Sequence, residues 1–403
     1  MFIVLYRGNN MLNKKQTEAV FSKDRFVFLL AGAGTGKTTV IISKIKKLLA
    51  DGILAENILV LSFTRKSVKD LQTKLATFEN LTITTFHGFC YKVLKSQIDF
   101  EIPKENWLIS KGYTLLDLTK INLYKRNNKT SKMVKTYNKL LRENNLYDYT
   151  DLEYLTLKKL KSDSHFKNEI TSRFKYIFAD EFQDTSLIQY MLLKELVTKT
   201  SKYFCVGDPN QSIYSFRGAS SNVINSYVKD FNAKIYLLNI NYRSSPLILK
   251  ASNKLISNNK RSYKFNLIPF KKEKGSITYK CFSSIKSKNK YIIEEIRSLL
   301  KLKITQEEIA IIYRNHHFAN QLKKELYKTY FDRINFLSIH QVKGLEFDCV
   351  FFIGLEEGKI PFIDADIEEE RRLFYVGITR ARKHLYLLTK NKNKISRFVS
   401  ETR

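Results

Sequence analysis

The sequence predicts an α/β fold, with parallel sheets covered by helices on both faces. Short apolar runs alternate with amphipathic segments along most of the chain, which is typical of parallel sheets joined by helices. Several of these runs end in polar, motif-like loops. The chain has 403 residues and only 14 glycines, and three glycines fall within five positions at 32, 34 and 36. At this length, with 43% hydrophobic residues, we expect two or three domains with their own cores.

The first half of the chain supplies the elements of one such sheet. An Asn13-x-x-Gln16 capping box predicts a helix at the start of LNKKQTEAVF. The segment 25–50 predicts a buried strand, a glycine turn and a helix with Val40, Ile41, Ile45, Leu48 and Leu49 on one face. Further strands that end in polar loops are expected in ENILVLSFT, LTITTFHGF, FKYIFADE and KYFCVGDPNQ.

A Lys/Asn-rich stretch interrupts this pattern, and a second block follows it. Residues 91–148 carry no chemical motif and predict a small, mainly helical insertion. The second block starts near residue 239, with strands expected in EEIAIIYR, INFLSIH and DCVFFIGL, and a helix over 368–382. We therefore expect one domain from residues 1–90 and 149–238, the insertion at 91–148, and a second domain at 239–403.

Composition narrows the class of protein. The formal net charge of +31 suggests a polyanionic partner, although A+T-rich coding would also enrich lysine. No apolar run reaches the roughly 18 residues that span a bilayer, and MFIVLY is too short for a signal peptide. The four cysteines are far apart and form no CxxC pair, which argues against zinc and a disulfide framework. We expect an intracellular, soluble protein without a membrane partner, in the cytoplasm or nucleoid or at a viral replication site.

The segment AGAGTGKTT at 31–39 reads as a P-loop, because it follows a strand and opens a helix. Backbone N–H groups of the loop would hold phosphates, Lys37 would reach the β- and γ-phosphates, and Thr38 would hold Mg²⁺. Ala31 occupies a position where the strict pattern has glycine. The loop residues expected to bind the nucleotide are Ala31, Gly32, Ala33, Gly34, Thr35, Gly36, Lys37, Thr38 and Thr39.

Two adjacent carboxylates, Asp180 and Glu181, follow an apolar strand. Adjacent carboxylates repel each other, so their retention suggests a positive charge that they face. As a Walker B pair, Asp180 would bind the Mg²⁺ held by Thr38, and Glu181 would orient and deprotonate the attacking water. A solvated turn is the alternative for an isolated Asp-Glu pair.

The motifs together resemble those of the UvrD/Rep family of superfamily 1 helicases, and they occur in the same order. The resemblance rests on LSFTRKSVKDL, TITTFHGF, FADEFQDTS, VGDPNQSIYSFRGA, NYRS, SIHQVKGLEFDCVFF and RRLFYVGITRARKHLYL. It implies two RecA-like motor domains that use ATP and Mg²⁺. It also implies that Gln16 reads the adenine, Tyr242 stacks on it and Glu346 binds the ribose. The implied catalytic residues are Lys37, Glu181, Gln211, which senses the γ-phosphate, and the arginine fingers Arg243 and Arg380.

The same resemblance implies a path for single-stranded DNA, with RNA as an open alternative. Stacking on aromatic platforms accepts any base, so little sequence preference is expected. Core packing is the alternative for Phe63 and Phe86, whereas Tyr214 and Phe216 flank a polar turn. The positions that match the family's strand-contacting residues are Phe63, Thr64, Thr85, Phe86, His87, Tyr214, Phe216, Arg217 and His340.

The resemblance implies an ATP-dependent DNA helicase of 3′→5′ polarity that translocates on single-stranded DNA, with accessory replication or repair proteins as further partners. Long family members insert an accessory domain between the motifs at Arg243 and Ser338, and this chain has little room for one there. An alternative is therefore a single-strand translocase that strips proteins and unwinds weakly or only with a partner. A nucleotide-gated binding scaffold with an inactive motor is the third hypothesis.

Overall fold

The computed structural model describes residues 12–126, 129–220, 222–260 and 263–403, so residues 1–11 of the predicted first domain lie outside the described part. The chain divides into two compact units. The first comprises the residues up to Leu30, Lys37–Asp208 and Tyr214–Leu238. The second comprises Ala31–Gly36, Pro209–Ile213 and Asn239–Arg403.

A six-stranded sheet forms the centre of the first unit, in the order β3-β2-β4-β5-β1-β6. Strands β1, β4 and β5 are short apolar runs that are buried along nearly their whole length, as expected for a parallel sheet covered on both faces. Each pair from β3 to β1 is parallel. The strands are β1 Phe26–Ala31, β2 Ile58–Ser62, β3 Thr82–Thr85, β4 Tyr176–Ala179, β5 Lys202–Gly207 and β6 Lys234–Leu238.

The register of this sheet aligns the carboxyl ends of three neighbouring strands. Ala179 of β4 pairs with Cys205 of β5, and Gly207 of β5 pairs with Leu30 of β1. The loops that follow these strands therefore start side by side. The first unit has the helices α1 Lys14–Phe21, α2 Lys37–Ala50, α3 Arg65–Lys74, α4 Phe86–Lys95, α5 Glu105–Ser110, α6 Leu115–Arg126, α7 Lys132–Glu143, α8 Tyr149–Ser162, α9 Ser164–Arg173, α10 Leu187–Glu195 and α11 Val223–Phe231.

Helices α5 to α7 have a small core of their own. It consists of Leu108, Ile121, Val134, Tyr137 and Leu141. The predicted insertion at 91–148 contains these helices, although its first residues continue α4. Its limits stay a prediction.

The second unit contains a five-stranded parallel sheet in the order β11-β10-β12-β13-β9. A separate two-stranded parallel ladder pairs β7 with β8. The strands are β7 Ile240–Asn241, β8 Ile268–Pro269, β9 Ser276–Cys281, β10 Ile309–Tyr313, β11 Asn335–Ser338, β12 Phe347–Ile353 and β13 Ala381–Thr389, and the helices are α12 Pro246–Ile256, α13 Ile285–Lys301, α14 Asn320–Tyr327, α15 Ile339–Val342, α16 Ile367–Ile378 and α17 Arg397–Glu401.

The predicted helix over 368–382 is too long. Helix α16 ends at Ile378, and Ala381 already begins strand β13. This strand lies between β12 and β9 and pairs with both. Pairing on both sides and burial from Leu385 to Thr389 outweigh the local helical pattern.

Two of the exclusions made from sequence can be compared with the structure. All four cysteines are free thiols, and Cys90, Cys205 and Cys349 are buried. In the described part of the chain, no helix is long and apolar enough to cross a membrane.

Candidate active site and nucleic-acid interface

The glycine-rich loop at 31–36 joins β1 to α2. Gly34 and Gly36 have φ angles of +65° and +86°, a backbone region that glycine adopts without steric cost. The hydroxyl of Thr35 donates to the carbonyl of Gly32 at 2.8 Å and fixes the turn. Lys37 then begins α2, so the helix N-terminus faces the loop as an anion-binding site requires. Ala31 ends β1 fully buried, where no positive φ is needed.

Within the second unit, the last residue of β7 and the residue after it hold this loop by its backbone. Nδ2 of Asn241 donates to the carbonyl of Ala33 at 2.6 Å, and the amide of Tyr242 donates to the carbonyl of Gly34 at 2.9 Å. The Oδ1 atom of Asn241 accepts from the amide of Arg243 at 2.9 Å. Sequence reasoning assigned no role to Asn241, and its place as the first residue of the NYRS motif was the available signal.

The carboxylates of Asp180 and Glu181 follow β4 in the first unit. Asp180 is 6% exposed, and its Oδ1 accepts from the amide of Glu181 at 2.9 Å. Burial and the neighbouring Glu181 raise the pKa of Asp180 to about 7, while Lys37 opposes the shift. Nζ of Lys37 lies 3.8 Å from Oε2 of Glu181. Lys37 is thus one positive charge that the carboxylate pair faces.

Gln183 aligns Glu181, and sequence reasoning assigned it no role. Its Nε2 donates to Oε2 of Glu181 at 2.5 Å, and its Oε1 accepts from the amide of Asp208 at 2.9 Å. Glu181 has a φ of +51°, and a non-glycine residue holds this conformation only when its surroundings impose it. Gln183 itself is 1% exposed. Its place inside DEFQDT was the signal that could have identified it.

Gln211 and Arg380 meet in the second unit. Nη2 of Arg380 donates to Oε1 of Gln211 at 3.1 Å, and Nζ of Lys343 donates to the carbonyl of Gln211 at 2.8 Å. Arg380 is 1% exposed and also donates from Nε to the carbonyl of Val376 at 2.9 Å. The guanidinium group is therefore held in one orientation next to the glutamine.

The other predicted arginine finger, Arg243, pairs with the predicted ribose-binding residue. Nε of Arg243 lies 2.5 Å from Oε2 of Glu346, and Nη1 of Arg382 lies 3.6 Å from the other oxygen. Burial would raise the pKa of Glu346, but the two arginines lower it below its ordinary value. Glu346 is therefore a carboxylate that holds Arg243 in place.

The residues predicted to contact adenine lie in different units. In the first unit, Oε1 of Gln16 accepts from the amide of Asn13 at 2.9 Å and completes the predicted capping box. In the second unit, the ring centroids of Tyr242 and Phe270 are 4.8 Å apart. Phe270 is 64% exposed, so the pair offers an aromatic surface that sequence reasoning did not identify.

A cavity of about 1130 Å³ in the first unit gathers most of the predicted strand-contacting residues. Phe216 is 51% exposed, whereas Phe86 is only 4% exposed and packs into the core. Phe63 stacks on Tyr214 with centroids 5.1 Å apart. The predicted residues in the lining are Phe63, Thr64, Thr85, Phe86, His87 and Phe216.

Other predicted strand-contacting residues have structural partners or lie elsewhere. Tyr214 is 6% exposed and supports Phe63 from behind. Thr64 and Thr85 are the N-caps of α3 and α4, where their hydroxyls accept backbone hydrogen bonds. His340 lies on α15 in the second unit, and the side chain of Arg217 lies outside the described part of the structure.

Both halves of the chain match models of known protein domains. Residues 12–133 and 110–232 match the UvrD/REP helicase N-terminal domain, and residues 236–333 and 327–392 match the UvrD-like helicase C-terminal domain. The predicted fold class is thereby confirmed, because the parallel sheets belong to the two motor domains of this family.

Similar proteins include three helicases of bacteria. A probable DNA helicase of Mycoplasma pneumoniae is 28% identical across 97% of this chain and 86% of its own length. A probable DNA helicase II homolog of Mycoplasma capricolum is 32% identical across 79% of this chain and 51% of its own length. The ATP-dependent DNA helicase PcrA of Bacillus subtilis is 30% identical across 79% of this chain and 49% of its own length. The chain thus spans about half the length of the last two relatives. Because the two domain matches together cover most of its sequence, this protein belongs to the UvrD/Rep family of DNA helicases.

Proposed function

We propose that this protein hydrolyses ATP to move along single-stranded DNA with 3′→5′ polarity and thereby separates duplex strands. The observation that supports the proposal most directly is the approach of Lys37 to Glu181, 3.8 Å apart at the start of the P-loop helix. Lys37 would bind the β- and γ-phosphates, and Glu181 would take a proton from the attacking water. Gln183 would orient the carboxylate for that transfer through its 2.5 Å hydrogen bond.

The proposed site also suits Mg²⁺. Hydroxyl and carboxylate oxygens are the ligands Mg²⁺ prefers, usually one or two from the protein together with substrate phosphates. Thr38 and Asp180 provide such a pair, and burial of Asp180 with its raised pKa indicates a carboxylate that a cation would stabilise. No group of three or more His, Cys, Asp or Glu side chains that could bind a metal occurs among the described residues, which agrees with a metal shared with phosphate. Bound Mg²⁺ would neutralise charge on the phosphate oxygens.

In the second unit, two arginines would stabilise the charge that develops on the transferring phosphoryl group. Arg380 is oriented by its hydrogen bond to Gln211, so a glutamine that senses the γ-phosphate would also position this guanidinium. Arg243 would exchange its partner Glu346 for phosphate oxygens. An arginine supplied in this way is worth large factors in turnover in phosphoryl-transfer enzymes.

Substitutions at Lys37 and Glu181 test the assignment. Lys37→Ala and Glu181→Gln should each lower ATP turnover at least about a hundredfold, because each removes a group that acts on the transferring phosphate or the water. Binding of single-stranded DNA, measured by fluorescence anisotropy, should remain. Lys46→Ala is a matched control on the exposed face of α2 and should leave turnover unchanged. Persistent ATPase in both variants would falsify the site assignment.

A second candidate, a translocase that unwinds weakly, is favoured by one structural observation. Between Arg243 and Ser338 the described residues form α12, β8, β9, α13, β10, α14 and β11, which belong to the second motor unit. No accessory domain occurs among these described residues. The described residues of this stretch therefore supply no separate element that would grip a duplex.

Tailed duplexes distinguish the two candidates. Strand displacement by the isolated protein from a duplex with a 3′ single-stranded tail, and not from one with a 5′ tail, is the result expected for the helicase. DNA-stimulated ATPase without displacement on either substrate would favour the translocase. Replacing the DNA tail by RNA tests the nature of the strand.

A further inference from the structure

A buried carboxylate lies between the cavity of the first unit and the catalytic loop, which is the segment 180–186 that carries Glu181. Glu153 is 2% exposed on α8, and no lysine or arginine lies within ion-pair distance of it among the described residues. A buried charge is strongly destabilising unless neighbouring groups compensate it. Two polar side chains lie within about 3 Å of this carboxylate, Gln189 on α10 and His87 on α4.

Gln189 joins Glu153 to the end of the catalytic loop. Its Nε2 donates to Oε1 of Glu153 at 2.6 Å, and its Oε1 accepts from the amide of Ser186 at 3.1 Å. Ser186 is the N-cap of α10 and ends the segment that starts with Asp180 and Glu181. A single buried amide therefore contacts the carboxylate at one end and the catalytic loop at the other.

The same loop is also joined to the segment that carries Phe216. The amide of Ser220 donates to the carbonyl of Thr185 at 3.2 Å, and Ser186 forms an antiparallel bridge with Ala219. Displacement of Ser186 would therefore move both the loop that carries Glu181 and the segment that carries Phe216, whose exposed ring lines the cavity.

On the other side, His87 lies between Glu153 and the cavity. Its Nε2 lies 3.0 Å from Oε1 of Glu153, which is the distance of an ion pair when the imidazole is protonated, in a geometry that forms no hydrogen bond. The side chain is 30% exposed, and it lines the cavity. Tyr149, one helical turn before Glu153 on α8, places its ring 4.9 Å from the imidazole. The imidazole can thus interact with the buried carboxylate or with an anion in the cavity.

We propose that Glu153 is a positioning residue that couples occupancy of the cavity by single-stranded DNA to the catalytic loop through Gln189 and Ser186. The inference rests on the proposed function of the cavity and of Glu181. A phosphate or base that draws His87 toward the strand removes the imidazole from beside Glu153. Glu153 then keeps its hydrogen bond to Gln189. A shift of the Gln189 side chain would also move Ser186, because the same amide accepts a hydrogen bond from the backbone of Ser186. Binding of the strand would thereby change the position of the catalytic loop and of Glu181.

The first test is Glu153→Gln in the full chain. The variant keeps the size of the side chain but removes its charge, so basal ATPase and the affinity for single-stranded DNA should stay within about twofold of the parent. Maximal turnover at saturating DNA should fall about tenfold, within the usual range of coupling between sites. A fall in kcat with little change in the DNA concentration for half-maximal stimulation separates coupling from binding.

Two further variants separate coupling from folding. The exchange Glu153→Gln with Gln189→Glu keeps a carboxylate–amide pair and the cap on Ser186, yet moves the charge away from His87. It should melt like the parent and lack most of the stimulation. Glu195→Gln is the matched control, because it makes the same chemical change at the other end of α10, where Glu195 pairs with Lys167 at 2.7 Å. The ATPase of this control should be stimulated by single-stranded DNA to the same extent as that of the parent.

Binding linkage tests the coupling without hydrolysis. In the parent, a non-hydrolysable ATP analogue should change the affinity for a fluorescent oligonucleotide, and this change should shrink in Glu153→Gln, since coupling of binding energies is reciprocal. Normal stimulation and normal linkage in Glu153→Gln would overturn the proposal, as would an equal loss of basal and stimulated turnover. A parent that shows linkage without any hydrolysis would refute the proposed ATPase and leave the coupling standing. A parent that binds no strand would refute both.

Discussion

Gly34 occupies a position in the P-loop that has no room for a side chain. A Cβ there would lie 2.6 Å from Nδ2 of Asn241 and 2.7 Å from Cβ of Arg243, at a φ of +65°. The loop can therefore bring its backbone close to the residues that would contact a nucleotide only if this residue is glycine.

We expect Gly34→Ala to raise the KM for ATP at least about tenfold, because small displacements of positioned groups have large kinetic costs. Gly52→Ala is the matched control: its φ is +87°, but nothing lies within 4 Å of the added Cβ. The control should lower stability by about 1 kcal/mol through backbone strain and leave the KM unchanged. Steady-state ATPase assays measure the KM, and thermal melting measures the stability. Identical KM values for Gly34→Ala and the parent would contradict the steric argument.

Lys44 is a charged residue on the buried face of α2, where the sequence pattern predicted only apolar residues. It is 8% exposed, and its Nζ donates to the carbonyl of Ser22 at 2.6 Å. Burial, with Lys47 and Lys202 nearby, lowers the pKa of Lys44 from 10.5 to about 8. The folded protein therefore releases a proton that the unfolded chain retains up to about pH 10.5.

This difference predicts a pH dependence of stability. Between about pH 8 and 10.5 the unfolded state binds more protons, so the contribution of Lys44 to the free energy of unfolding rises with pH and is lost as pH falls through 8. Relative to Lys44→Met, the parent should gain stability from pH 8 to 10, by on the order of 1 kcal/mol per unit of pKa difference. Denaturant unfolding at several pH values measures it. A difference between the two proteins that is constant with pH would argue against the shift.

Among the elements, α1 combines a structural and a proposed functional role in one side chain. Its capping box uses the carbonyl oxygen of Gln16 to accept from Asn13. The sequence predicted both the box and the adenine-reading role, and the box is confirmed.

The two roles of Gln16 can be separated by substitution. Gln16→Glu keeps an acceptor for the cap but loses the amide donor, so melting should be unchanged while discrimination between ATP and GTP falls. Asn13→Ala removes the cap and should lower stability by about 1 kcal/mol. ATPase with each nucleotide, together with melting curves, provides the measurement. Unaltered nucleotide preference in Gln16→Glu would remove the residue from the adenine site.

At the scale of the whole molecule, the net charge of +31 has a consequence for DNA binding. Neutralising phosphates releases counterions, so the affinity for single-stranded DNA should fall steeply with salt, by at least about tenfold between 50 and 200 mM. Anisotropy titrations of one labelled oligonucleotide at several salt concentrations measure the slope. An affinity that is independent of salt would mean that stacking alone holds the strand and that the charge has another cause.

Local patterns predicted those parts of the fold that depend on neighbouring residues in sequence. The P-loop, the capping box of α1 and the buried strands before Asp180 and Asp208 are of this kind, because turn chemistry and apolar runs act over a few positions. The end of α16 was predicted wrongly. The last residues of the predicted helix belong to β13, a strand whose partners β9 and β12 lie elsewhere in the chain.

The sequence by itself determined the family and the α/β class and predicted which motif binds the nucleotide, because each follows from short, ordered patterns of residue type. Only the tertiary structure decided the partners of those residues. It showed that Gln183 aligns Glu181, that Asn241 holds the P-loop, and that the buried Glu153 lies between His87 and Gln189. The physical reason is that hydrogen bonds and burial join positions far apart in the chain, and no local pattern records which distant groups meet.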